Sequence, residues 1–412
     1  MNELYQKLAR LAVRRGVNVQ KGQPLIIRAD VRDHVFIEML VEEAYEAGAG
    51  SVSVDWKDQT LNRMDYEYQT AETLCDIGTW IHTREADRQK KHACYLSVIS
   101  DAPNSLQGID QSKRNAYQSA YLEMMADLQK YSVNNEGQWC VFGIPSVAWA
   151  KTVFPDLPEE EAFNRLEAAI FQVSRVHTGS DPLQEWEKHD AELIRHADKL
   201  NACQFDRLHF RSGLGTDLTV GLVRDHIWVG GGCTTPDGVY FDPNIPTEEI
   251  FCMPDRNRVD GVVYASMPLS YHGTLIEDFH FHFKDGKVTV AHAGKEADVL
   301  NDMLAFDEGS SRLGEVALVP YGSPVSASGI LFLNTLYDEN AACHLALGMC
   351  YPENLKGGTA MSDDELQAAG GNVSRQHIDF MFGTADMEID GIAEDGTVTA
   401  IFRNGRFVWE DK

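Results

Sequence analysis

The feature that most constrains this chain is a change in hydrophobic period near residue 205. Ahead of it, short buried runs alternate with stretches of helical spacing. Pro24-Leu25-Ile26-Ile27-Arg28 reads as a strand, Asp33 to Ala47 as a helix stopped by Gly48, and Ser51-Val52-Ser53-Val54-Asp55 as a second strand. Strand, helix and strand in that order make a βαβ unit, which implies a parallel sheet covered by helices. The pattern continues with strands at Ala93 to Ile99 and Gln138 to Gly143. Helices are expected at the N-terminus, near Gln107 to Tyr131, from about Pro158, and over Trp186 to Leu200.

From Phe205 the runs become short and alternating, as in Arg207-Leu208-His209-Phe210, Asp217-Leu218-Thr219-Val220, Gly261-Val262-Val263-Tyr264 and Phe279 to Phe283. Turn pairs such as Asp285-Gly286 and Asp395-Gly396 separate them, a signature of antiparallel strands. At 412 residues the chain exceeds one ordinary core. The expected architecture is an α/β domain over residues 1–200, followed by an α+β, β-rich domain over 201–412 that carries the chemistry.

Several function classes are disfavoured. Sixty-three acidic against 36 basic side chains give a formal charge of -27, which argues against nucleic acid or an anionic membrane as partner. Met1 to Gly16 has helical spacing and mixed charge rather than the apolar stretch of a secretion signal, and no later segment is long and apolar enough to span a bilayer. Eight scattered cysteines without a CxxC pair suggest neither a zinc knuckle nor a disulfide framework, so a cytoplasmic location is expected. Neither GxGxxG after a strand nor GxxxxGK[ST] is present to hold a nucleotide, and Ser326-Ala327-Ser328-Gly329 lacks a nucleophile elbow.

Metal-ligating residue types cluster in the second half. His377 and Asp379 lie two apart, and on an extended strand both would face one cation. Asp338 or Asn340 is expected to cap a short helix ended by Gly348, with His344 on its apolar side. Glu249 and Glu315 stand in apolar settings where an uncompensated carboxylate would be costly, and a cation removes that cost. Taken singly, each has an ordinary structural explanation: a surface pair, a hydrogen-bonded core histidine, a solvated strand end. His280-Phe281-His282 also puts two imidazoles on one strand face and reads as surface alternation beside Asp278.

The stretches "NIPTEEIF", "RLGEVALVPY", "LFLNTLYDENAACHLALGMCY" and "HIDFMFG", in that order beside "GLGTDLTVGL", resemble the thermophilic metalloprotease (M29) family of aminopeptidases. The resemblance is dense over residues 205–385 and more diffuse before them. It implies two divalent ions (zinc, cobalt or manganese) held by Glu249, Glu315, His344, His377 and Asp379, with Tyr351 beside them. Glu315 is expected between the ions, with Glu249 and His344 on one and His377 and Asp379 on the other, although exchanging the roles of Glu249 and Glu315 gives an equally neutral site that charge counting does not distinguish. A site of that kind activates water against a peptide carbonyl, with Glu315 and Tyr351 in the chemistry and the substrate amine bound by one metal or by a nearby carboxylate such as Glu339. The family further implies peptide substrates and a homodimer. Cys252-Met253 is a local departure, where smaller polar residues are expected. The alternatives are an amidohydrolase acting on a non-peptide amide and a non-catalytic binding protein stabilised by metal.

Overall fold

The computed structural model describes residues 2–271 and 273–409. Contacts divide the chain into two compact units, Met1–Lys188 with Gly232–Pro246, and His189–Gly231 with Thr247–Lys412.

The first unit is built on an all-parallel five-stranded sheet. Its order is Asn244–Ile245, Trp139–Gly143, Cys94–Ile99, Pro24–Asp30, Ser51–Lys57. Leu25, Ile26 and Ile27 are all buried, because helices cover both faces and an unbroken apolar run suits such a strand better than alternation does. The helix His34–Ala47 buries Phe36, Ile37, Leu40 and Ala44 along one stripe and ends where Gly48 turns left-handed at φ 104°. The helix expected over 107–131 is shorter and broken. The Asp110 carboxylate accepts the Ser112 amide at 2.9 Å and starts it late, helical geometry runs over Gln111–Met124, and a separate turn follows at Lys130–Val133.

The second unit is β-rich and antiparallel, as its turn-punctuated sequence suggests. An eight-stranded sheet runs in the order Lys287–His292, His280–Lys284, Pro254–Tyr264, Asp217–Leu222, Arg207–Arg211, Glu388–Ile392, Val398–Arg403, Arg406–Phe407. A five-stranded sheet runs His377–Met381, His344–Gly348, Leu313–Leu318, Ile250–Cys252, Val229–Gly230. Their facing surfaces form one core. Phe281 and Phe279 of one side meet Phe380 of the other at 5.2 and 5.9 Å between ring centroids, and Phe210 meets Phe382 at 5.2 Å. The observed class is therefore mixed α/β, with a parallel sheet first and a β-rich region after it.

One local expectation is corrected. His344 opens a strand, His344–Gly348, rather than lying on a helix. The helical piece is confined to Thr335–Asp338, followed by a tight turn at Glu339–Ala341. The run His344-Leu345-Ala346-Leu347 is buried on both faces between two neighbouring strands, and three apolar residues after one histidine are too short a run to separate strand from helix by period.

Candidate metal centre

Register in the five-stranded sheet decides which side chains meet. Glu315 pairs with Ala346, and Ala346 pairs with Asp379 on its other side. His344 pairs with Met381 and Gly348 with His377. By the two-residue alternation of a strand, Glu315, His344, His377 and Asp379 share one face, while Val316, Leu345, Leu347 and Phe380 point to the core on the other. Ala346 stands directly between the two carboxylate-bearing positions and contributes only a methyl, which leaves space above the sheet. Glu249 immediately precedes Ile250–Cys252 and completes the group.

The atoms converge closely. His344 Nε2 lies 2.8 Å from Glu249 Oε2 and 3.4 Å from Glu315 Oε1. His377 Nε2 lies 3.4 Å from Glu315 Oε2 and 3.2 Å from Asp379 Oδ1. Two ligand-type triads result, Glu249 with Glu315 and His344, and Glu315 with His377 and Asp379, and the two oxygens of Glu315 divide between them.

Both imidazoles are held from behind. His377 Nδ1 sits 2.7 Å from the Met349 carbonyl and His344 Nδ1 3.2 Å from that of Ala342. A carbonyl only accepts, so each Nδ1 donates and each Nε2 is left facing the carboxylates. This arrangement orients histidines that ligate metals. Gly348 permits the local approach: at φ 110° a side chain there would meet the Gln376 carbonyl at 2.0 Å. A further tether comes from Asn340, whose Oδ1 accepts the Glu248 amide at 2.6 Å while its Nδ2 donates to the Leu336 carbonyl at 2.8 Å. Asp338 in turn accepts the amides of Phe332 and Asn334 at 2.7 and 3.0 Å, which shapes the loop entering the site.

Burial and mutual charge perturb every member that shifts. Burial opposes ionisation of Glu315, but hydrogen bonds from His344 and His377 outweigh it and hold the carboxyl down at about 2. Burial likewise opposes charging of the two histidines, and the surrounding groups, Glu249 and Glu315 at His344 and Tyr351 and Asp379 at His377, push both well above the usual imidazole range. Glu249 is raised by burial, and His344 offsets this only in part. Glu339 is raised strongly by burial and then by Asp379 and Glu249, so one carboxyl beside the group holds its proton. Acidic groups packed this tightly repel one another unless positive charge lies among them, and carboxylate and imidazole donors suit a divalent ion such as zinc, cobalt or manganese.

A profile of the thermophilic metalloprotease (M29) family matches residues 1–407. The chain belongs to that family. It is 43% identical to aminopeptidase AmpS of Bacillus subtilis, over 99% of this chain and 100% of the relative. Aminopeptidase T of Thermus thermophilus is 41% identical over 98% of each. The solved structure of wild-type AmpT from Thermus thermophilus superposes with a TM-score of 0.91 at 40% identity, covering 99% of both chains.

Among the expected residues of this M29 chain, Glu249, Glu315, His344, His377 and Asp379 are brought into the two triads. Tyr351 lies beside them, its ring centroid 4.9 Å from that of His377 and 5.7 Å from that of Phe251. Proximity to His377 favours its ionisation, but burial and the carboxylates prevail and raise its pKa, so the phenol keeps its proton. Cys252 and Met253 are both fully buried, with Cys252 in the unit's main core. Asp338 and Asn340, expected to cap a helix ended by Gly348, do not cap one there, since His344–Gly348 is a strand, and they serve instead as supports. Their signal in the sequence is the polar run Asp338-Glu339-Asn340 set between apolar stretches, and the structure buries all three.

Proposed function

We propose that this chain is a two-metal aminopeptidase that removes residues from the N-termini of peptides. The observation that carries the reading is the pair of triads sharing Glu315, found in a chain of a metalloprotease family whose named relatives are aminopeptidases. Glu249 and His344 would hold one ion, His377 and Asp379 the other, and Glu315 both, within the catalytic region taken as residues 201–412. The three triad carboxylates, Glu249, Glu315 and Asp379, carry more negative charge than one divalent ion neutralises, so a single ion would leave an excess buried and a second removes it. Such ions supply the charge that polarises a peptide carbonyl and lowers the pKa of the attacking water.

The chain's own residues supply the rest. Tyr351, kept protonated, donates a hydrogen bond to the oxygen on which charge develops as the carbonyl is attacked. Glu339 is a carboxyl beside the group with no place in either triad, and on losing its proton it pairs with the substrate's α-ammonium. Holding that ammonium at a fixed distance from the reacting carbonyl selects the first peptide bond. The carbonyls of Met349 and Ala342 keep His377 and His344 oriented throughout. The same reading takes the enzyme as a cytoplasmic homodimer.

A panel of aminoacyl chromogenic amides, run with and without a chelator, tests this. Turnover of aminoacyl amides, abolished by chelation and restored by zinc, cobalt or manganese, is the expected result. Inactivity of the metal-loaded protein on every aminoacyl amide would sink the peptidase reading.

A further inference from the structure

Three histidines outside the centre gather on the outer face of the eight-stranded sheet. His280 and His282 lie two apart on His280–Lys284, and His292 pairs directly with His280 from the adjoining strand. Phe281 and Phe283 anchor the opposite face in the core, so the strand's facing is fixed and the imidazoles are directed outward. Ring centroids are 5.5 Å apart for His280 and His282, and 5.2 Å apart for His280 and His292. Tyr264 stacks on His280 at 4.7 Å and 27°, which restrains the central ring.

Centroid separations of this size allow two imidazoles to share one ion once their nitrogens turn toward it. A metal–nitrogen bond of about 2.0–2.1 Å sets the ring centroid roughly 3.2 Å from the ion, and a tetrahedral angle then places two centroids roughly 5.2 Å apart. Among the described residues the imidazoles make ring contacts only, without hydrogen-bond or ion-pair partners, unlike His209, which is held by Asp217 at 2.7 Å. Their nitrogens are therefore free to ligate. His282 and His292 are exposed, so convergence of the three imidazoles on one ion would proceed by side-chain rotation. Partial burial, then the neighbouring His292 and His282, lower the His280 pKa and favour the neutral form that ligates metal.

We propose that His280, with His282 and His292, forms an accessory, exchangeable site for a divalent transition metal, with water completing the coordination shell. A donor set of neutral imidazoles without carboxylate selects copper, nickel and zinc and passes over magnesium and calcium. The formal charge of -27 concentrates cations at the surface without supplying a ligand. The site differs in kind from the buried, carboxylate-rich centre. The sequence shows the His280–His282 pair, and the strand register adds His292.

The test is a Cu²⁺ titration of the full chain by equilibrium dialysis, with wild type compared against His280→Ala, His282→Ala and His292→Ala. Wild type should take up one more ion per chain than His280→Ala, and its electron paramagnetic resonance should show coupling to at least two imidazole nitrogens. His282→Ala and His292→Ala should each weaken that ion by about tenfold or more, as loss of one ligand from a chelate does. Melting curves and aminoacyl amide turnover should match wild type in all three variants, showing that the folded centre is intact. Equal uptake by wild type and His280→Ala, a single-imidazole spectrum, or equal retention of Mg²⁺ would each overturn the assignment.

Discussion

Replacing Asn340 with alanine separates support of the centre from membership in it. The side chain is fully buried and bridges two backbone groups, the Glu248 amide at 2.6 Å and the Leu336 carbonyl at 2.8 Å. Glu248 and Leu336 are themselves buried, so alanine leaves a donor and an acceptor with nothing in place of the amide. Each stranded group costs about 1–3 kcal/mol, which puts the expected destabilisation at about 2–6 kcal/mol. The Glu248 amide also adjoins Glu249, so its release loosens one member of the first triad. Loss of such a support weakens metal binding by about 10–100-fold, equivalent to about 1.4–2.7 kcal/mol. Competition against a chromogenic chelator would measure the affinity, and urea unfolding of the metal-free and loaded forms would measure stability. The expected result is weakened metal binding with a near-normal rate at saturating metal. Wild-type metal affinity in a destabilised Asn340→Ala protein would show that the tether serves folding alone, and would refute the reasoning.

The remaining predictions address the centre itself. Glu315→Gln should lower occupancy of both ions together, measured by elemental analysis after dialysis, and two tightly held ions with full activity would remove Glu315 from its shared position. Tyr351→Phe should retain its metal and slow turnover by about 10²–10³-fold in kcat, the loss expected for one donor to a developing oxyanion, and unchanged kcat would return Tyr351 to a packing role. The raised pKa values of His344 and His377 mean that both carry protons near neutral pH in the metal-free chain. Metal uptake should therefore release protons and tighten as pH rises, read by titration calorimetry in buffers of different ionisation enthalpy. Their contribution to metal-free stability has the opposite sign: it is fully present below the ordinary value of 6.5 and is lost as pH rises through the raised values. Metal uptake without proton release would contradict those directions.

The fold was most legible where periodicity was unambiguous. The run from Pro24 to Asp55 declares strand, helix and strand because its period changes twice and Gly48 marks the stop. The His377–Met381 strand was equally readable, since residues two apart bring His377 and Asp379 to one side. The His344–Gly348 strand was not, because an apolar run buried on both faces carries no period, and its identity comes from neighbours recruited elsewhere in the chain. The role of Ala346 was hidden for a related reason. An alanine between Glu315 and Asp379 matters only through a register that the sequence does not print. The Asn340 tether joins residues 92 positions apart, beyond the reach of any local pattern. Chemistry-bearing residue types were thus visible in the chain, while the spacers and supports that give them geometry emerge from sheet pairing.

The central claim is that two ions share Glu315, and anomalous diffraction from metal-loaded crystals tests it most directly. Two neighbouring peaks are expected on one face of the five-stranded sheet, one against Glu249 and His344 and the other against His377 and Asp379, with a Glu315 oxygen on each. A single peak enclosed by all five side chains, or ions bound away from Glu315, would contradict it.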